Sequence, residues 1–224
     1  MLLISELENN NMATTKQSVS RLYRYRDAIY RLKELGSEKV FSGHLANVVG
    51  SNSAQVRKDF SLLNISGNKR GGYIVDDLID QINTLLGKDK IQNVIIVGAG
   101  HIGRALMQYD GFSKEKIHIA AAFDIDPLKY GQEVGVSIFS IDKLDNFVKK
   151  NKIKVGVIAV PYFAAQQVVD KMVSLGMKGA LNFAPINLKV PESFFVNNVN
   201  VRLELEVVNY FAGVQRTKNE KYKS

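Results

Sequence analysis

Asn93-Val94-Ile95-Ile96-Val97-Gly98-Ala99-Gly100-His101-Ile102-Gly103-Arg104 decides the fold of this chain. Residues 94–97 are β-branched and apolar, three glycines follow in G-x-G-x-x-G spacing, and residues 102–107 carry a helical pattern. The order is strand, tight turn, helix, and each glycine has a mechanical task. Gly98 permits the turn, Gly100 lets a pyrophosphate approach the backbone, and Gly103 lets the helix pack on the strand. The free N–H groups of Ala99, Gly100, His101 and Ile102, where the helix opens, suit phosphate oxygens. A second apolar run, residues 117–123, ends at Asp124, with Asp126 two residues on. A dinucleotide fold places there the acid that accepts the ribose 2′-OH. Asp124 ranks ahead of Asp126, and an acid at this place favours NAD over NADP because it repels a 2′-phosphate.

Outward from this stretch, apolar strands and amphipathic helices alternate. Strands are expected at 94–97, 117–123, 136–139, 155–160 and 179–183, and helices at 102–109, 142–150 and 164–175. Such alternation implies a parallel sheet covered on both faces. Ligands bind at the carboxyl ends of its strands. Those ends carry the glycine turn, Asp124 to Asp126, Val160-Pro161-Tyr162 and Asn182-Phe183-Ala184-Pro185. Pro161, Asn182, Ala184 and Pro185 are therefore candidate site residues. A last strand at 195–199 leads to Asn200 as an N-cap and to a segment, 201–216, that is apolar on more than one face. That pattern suits a helix gripped by a second copy of the chain.

Toward the N-terminus the character changes. Residues 1–17 are polar and read as a disordered leader. A helix from Ser18 or Ser20 places Leu22, Tyr25, Ile29, Leu32 and Leu35 at helical spacing, and Gly36 ends it. A second helix, 41–49, takes Ser42 as N-cap. Gly50 stops it, and a third begins near Ser51 or Ser53. Helix, glycine turn, helix is the helix-turn-helix pattern, whose second helix enters a DNA major groove by its N-terminal residues. That offers Ser51, Asn52, Ser53 and Gln55 to base edges, and Arg57 and Lys58 to bases or phosphates, with Ser42 and His44 beside them. Residues 64–73 read as the wing of a winged helix, with Lys69 and Arg70 reaching phosphate or the minor groove. A short amphipathic helix, 76–86, closes this domain. The division expected is leader 1–17, winged-helix domain 18–88, dinucleotide domain 89–199, and helix with tail 200–224.

Charge follows the same division. The 224 residues carry a formal +8, yet residues 16–73 hold eleven lysines and arginines against four acids, a net +7. A focused basic region points to a polyanion, most often nucleic acid. The chain has no cysteine and three scattered histidines, His44, His101 and His118, so thiolate or histidine metal spacing is absent. No apolar run reaches membrane-span length, and a cytoplasmic, membrane-free, metal-free protein is expected. An NAD-dependent oxidoreductase is the competing class, and a redox-insensitive or CoA-binding relative of the same fold a second. No sizeable catalytic domain follows the dinucleotide unit, and no acid or base is paired for hydride transfer, which argues against an enzyme.

Taken together, Ala54-Gln55-Val56-Arg57-Lys58-Asp59, Val97-Gly98-Ala99-Gly100-His101-Ile102-Gly103-Arg104-Ala105-Leu106, Ala121-Ala122-Phe123-Asp124-Ile125-Asp126, Ala159-Val160-Pro161 and Leu181-Asn182-Phe183-Ala184-Pro185 resemble the Rex family of NADH-sensing transcriptional repressors, over nearly the whole chain. The resemblance implies an α/β protein with an N-terminal winged-helix DNA-binding domain, a C-terminal Rossmann domain, and a C-terminal helix swapped between the subunits of a homodimer. It implies NADH and NAD+ as ligands, with Tyr109 and the partner's Val201 beside the nicotinamide, and operator DNA that is released as NADH rises. The chain departs from the family at Asp27, where an arginine is usual, at Asn200, where an aspartate is usual, at Asp110 for a proline, and at residues 62–66 ahead of Gly67.

Overall fold

The computed structural model describes residues 15–67, 71–132 and 134–221, with side chains described to residue 213. The first fourteen residues, Lys69 and Arg70, and so most of the expected leader and both wing cations, lie outside the described residues. Contacts divide the chain into two units, Met1–Lys90 and Ile91–Ser224.

In the first unit, helix α1 spans Lys16–Glu34, two residues earlier than the apolar pattern suggested, because the Thr15 hydroxyl caps it by accepting from the Ser18 N–H. Strand β1 (Lys39–Val40), helices α2 (Ser42–Val49) and α3 (Ser53–Leu62), strand β2 (Tyr73–Ile74) and helix α4 (Val75–Leu85) follow. β1 and β2 pair antiparallel, Val40 opposite Tyr73, which closes a two-stranded ribbon beside the helices. Gly50, at φ 65°, makes the left-handed turn between α2 and α3 that a residue with a Cβ resists. The core is one cluster in which Leu22, Tyr25 and Ile29 of α1 meet Leu45, Val56, Phe60 and Leu78. The Phe60 ring stands edge-on to Tyr25 at 5.5 Å and to Tyr73 at 5.1 Å.

One expectation is corrected here. Ser42 is the first residue of α2, not its cap; the cap position belongs to Phe41, whose side chain makes no capping bond. The chain leaves β1 extended at Phe41 and turns at once into the helix, so the Ser42 hydroxyl points elsewhere.

The second unit is a six-stranded parallel sheet formed by β3 (Gln92–Val97), β4 (Ile117–Asp124), β5 (Ile138–Ser140), β6 (Val155–Ile158), β7 (Gly179–Asn182) and β8 (Phe195–Asn198). Their order across the sheet is β5-β4-β3-β6-β7-β8, the doubly wound arrangement of a Rossmann fold. Helices α5 (His101–Met107), α6 (Gly111–Lys114), α7 (Leu144–Asn151) and α8 (Tyr162–Ser174) connect them, and α9 (Val201–Lys221) ends the unit. Val94 and Ile96 pack on one face with Met107, while Ile95 and Val97 pack on the other with Leu144, Val148 and Val169. Burial on both faces explains why β3 is an unbroken apolar run rather than an alternating one. The third strand lies at 138–140 rather than 136–139, and α6 was not anticipated.

Candidate functional site

In the first unit, α3 carries the residues expected to meet DNA. Arg57 and Lys58 are exposed on it, and the Arg57 Nη1 donates to the Ser42 Oγ at 3.2 Å. The two residues thus meet across the turn, and His44, two residues beyond Ser42 on α2, is exposed. Ser51 and Ser53 are half-buried. Asn52 caps α3, its Oδ1 accepting from the Gln55 N–H at 2.9 Å, which leaves both amide hydrogens and one oxygen lone pair for a ligand.

Gln55 is half-buried. Its Nε2 donates to the Asp59 Oδ1 at 2.8 Å, which engages one amide hydrogen and leaves the second N–H and the carbonyl oxygen for a base edge. Asp59 is the centre of this arrangement: buried, it accepts from Arg21 at 2.6 and 2.7 Å and from the Tyr25 hydroxyl at 2.8 Å. Burial works to raise the Asp59 pKa, but the bonds from Arg21, Tyr25 and Gln55 and the Arg21 charge outweigh it and hold the carboxyl below its ordinary value. Burial, together with Asp59, pushes Tyr25 up to about 12. Arg21 and Tyr25 of α1 and Asp59 of α3 therefore form a polar cluster that ties the two helices together, although helical spacing alone places Tyr25 as a packing residue. Arg26 is also inward, 7 % exposed, against the Tyr23 and Tyr30 rings and hydrogen-bonded to Asp27.

In the second unit, the end of β3 enters the glycine turn. Gly98 has φ 102° and its N–H donates to the Phe123 carbonyl at 2.8 Å, tying the turn to β4. A Cβ on Gly98 would strike the Ala159 carbonyl, and one on Gly103 would strike the Gly98 carbonyl. Gly100 differs: it caps α5 with an ordinary extended φ of −80°, and a Cβ there has nothing within 4 Å. The first and third glycines are thus demanded by the fold, and the second leaves open space in front of the helix.

Asp124, 7 % exposed, accepts from the Ala99 N–H at 2.7 Å, the Asp126 N–H at 2.9 Å and the Lys129 Nζ at 3.0 Å. Burial raises its pKa, but those three donors and the Lys129 charge prevail and keep it below the ordinary value. Three of about four acceptor directions on the carboxylate are occupied. Asp126, whose side chain is 40 % exposed, accepts the Leu128 N–H through Oδ1 and keeps more acceptor capacity toward solvent. Asp124 braces the glycine turn, and Asp126, which also lies 3.9 Å from the Lys129 Nζ, is the more open of the two acids. Arg104 supports the same turn, donating to the Ala99 carbonyl at 3.3 Å and to Gln132 at 2.7 Å.

His101 and Ile102 are exposed at the opening of α5, as are Tyr109 and, at the end of β6, Pro161. At the end of β7, Asn182 has no exposed surface. Its amide nitrogen donates to the carbonyls of Ala184 and Ile186 and to Asn198, and its Oδ1 accepts from the Ala184 N–H. Its side chain is therefore unavailable to a ligand and instead shapes the loop that presents Pro185, which is exposed; Ala184 is buried. Asn200 caps α9 by accepting from the Leu203 N–H at 3.1 Å, and Val201 is exposed on that helix. Among the described residues, no group of three or more His, Asp or Glu side chains could hold a metal, and no helix is long and apolar enough to cross a membrane.

Known proteins share both units. The family profile described as "CoA binding domain" matches residues 89–186, and that described as "Putative DNA-binding protein N-terminus" matches residues 15–61. A "Redox-sensing transcriptional repressor Rex" of Exiguobacterium sp. is 36% identical over 206 residues, 92% of this chain and 94% of the relative. The crystal structure of RSP, described as a Rex-family repressor, is similar in both of its ligand complexes. With β-NADH bound it covers 94% of this chain and 99% of its own at TM-score 0.80 and 30% identity. With β-NAD+ and operator DNA bound it covers 96% and 99% at TM-score 0.85 and 29% identity.

Proposed function

The chain belongs to the Rex family of redox-sensing transcriptional repressors, and from that premise we propose how its own residues hold DNA and read the nicotinamide redox state. The protein is a DNA-binding repressor rather than an enzyme. It senses NADH against NAD+ and leaves its operator when NADH binds. Operator DNA lies against α3, with Arg57 reading a base and Lys58 a phosphate. The pyrophosphate lies on the N–H groups of residues 99–102 in front of Gly100, and Asp126, backed by Asp124, takes the adenosine ribose. The observation that carries this reading is the open space before Gly100, at a turn whose other two glycines the fold itself requires.

The protein works as a cytoplasmic homodimer. Val201, Leu205 and Val208 form a stripe along α9, and Tyr210 and Phe211 extend it to a second side; all five are between 59 and 67 % exposed in the single chain. A helix so apolar on two sides is satisfied by a second copy, which would also bring Val201 of the partner subunit to the nicotinamide beside Tyr109. Coupling needs only differential affinity: if the DNA-releasing arrangement binds NADH more tightly, operator DNA must weaken NADH binding by the same factor, typically about 1–3 kcal/mol.

The test is a fluorescence anisotropy titration of a palindromic operator duplex at fixed salt, repeated with NADH and with NAD+. Release by NADH alone is the expected result; tight binding indifferent to both nucleotides would overturn the sensing mechanism. Gly100→Ala isolates the nucleotide step. The fold has room for the methyl, so the melting temperature stays unchanged, whereas NADH binding weakens by about 1–3 kcal/mol, the usual cost of forcing a methyl into a packed contact. Unaltered NADH affinity in this variant would move the pyrophosphate elsewhere. For DNA, Arg57→Ala should lose about 1–3 kcal/mol at the operator and relax selectivity at one base pair. A uniform loss over all sequences would assign Arg57 to phosphate instead.

A further inference from the structure

A dinucleotide is longer than the glycine turn, and the sheet order determines where its second half runs. The order reverses between β3 and β6, so the crevice opens between their carboxyl ends. With the adenosine ribose at the end of β4 and the pyrophosphate on the turn, the nicotinamide half runs over the end of β6. Gly98 abuts that end: a Cβ on it would stand 3.0 Å from the Val160 Cγ1. Two residues beyond Val160 is Tyr162, the first residue of α8 and 61 % exposed. Its ring stands edge-on to that of Phe163, 5.6 Å between centroids. Helical phase directs it: Ala165, Val169 and Met172 form the buried stripe of α8, and Tyr162, three residues before Ala165, opens the helix on that same flank, at the turn nearest β6.

The geometry points to Tyr162 as a platform for the nicotinamide ring that reads the ring's charge. The oxidised ring is a pyridinium cation and the reduced ring is neutral. The negative face of an aromatic ring attracts a cation, worth about a two- to fivefold change in affinity at an exposed site. Tyr162 therefore favours NAD+ and opposes the preference for NADH, so that it sets the ratio of the two nucleotides at which the repressor lets go.

This assignment rests on the dinucleotide-sensing reading above, and the experiment separates the two. Dissociation constants for NADH and NAD+ are measured by titration calorimetry on the full chain and on its Tyr162→Leu and Tyr162→Phe variants. Leucine should weaken NAD+ about two- to fivefold and leave NADH unchanged, while phenylalanine keeps the native ratio. An unchanged ratio in the leucine variant, or a phenylalanine variant that behaves as leucine does, overturns the platform. A native chain that binds neither nucleotide overturns the sensing reading itself.

Discussion

Asp59→Ala is expected to destabilise the DNA-binding unit by about 3 kcal/mol, seen as an early transition in urea denaturation of the full chain. Breaking a buried ion pair from one side commonly costs 3–5 kcal/mol. The lower end applies because the Arg21 side chain is 28 % exposed and regains water when its partner goes. Tyr25 cannot do so: it has no exposed surface, and its hydroxyl would be left without an acceptor in the core. Tyr25→Phe, which removes one donor and strands little, should cost only about 1 kcal/mol. Equal effects of the two variants would place the energy in packing rather than in the network.

The same network imposes a pH dependence whose sign follows from the depressed Asp59 pKa. In the unfolded chain the carboxyl titrates near its ordinary 3.8; its contribution to stability is fully present above that value and is lost as pH falls through the lower folded value. Tyr25 acts at the other end of the scale. Its folded pKa of about 12 against an ordinary 10.0 keeps its contribution intact below pH 10 and removes it as pH rises toward 12. Alkaline unfolding should shift upward in Tyr25→Phe, since that variant has no hydroxyl to ionise.

Asn182→Ala should cost the dinucleotide unit about 2–4 kcal/mol, read as a lowered melting temperature with loss of nucleotide affinity. Two terms add. The side chain is wholly buried at the end of β7, so its removal leaves a cavity. It also leaves the Ala184 N–H, the carbonyls of Ala184 and Ile186, and the Asn198 side chain without the bonds they share with it. Asn182→Asp is the sharper variant, because a carboxylate would face oxygens that now accept its amide hydrogens. An aspartate variant as stable as the native chain would show that the loop at 184–186 holds its shape by other means.

Local chemistry carried much of the site into the sequence. The β3 run, the glycine spacing and the acid at the end of the second strand are short-range features, and periodicity alone separates helices from strands on either side of them. The helix-turn-helix was legible for the same reason, since a left-handed turn between two helices favours a glycine such as Gly50. Errors arose where a polar side chain had two possible uses. Ser42 matched a capping pattern, but the extended backbone of Phe41 took that place. Asn182 looked like a ligand-facing amide, yet it is held by partners that periodicity does not reveal, Asn198 among them, sixteen residues away.

The sequence by itself determined two units of different charge, a parallel sheet preceded by a helix-turn-helix, and the spacing of a phosphate-binding turn, because each depends on neighbours a few residues apart. Only the tertiary structure decided which side chains remain free to act. It showed that Gly98 and Gly103 serve packing while Gly100 faces open space, that Asp124 is engaged by three donors while Asp126 is not, and that Arg21, thirty-eight residues from Asp59, is its partner. The physical reason is that space and hydrogen-bonding capacity are both finite: whether a Cβ fits, and which lone pairs and hydrogens are already taken, depend on residues that only folding brings together.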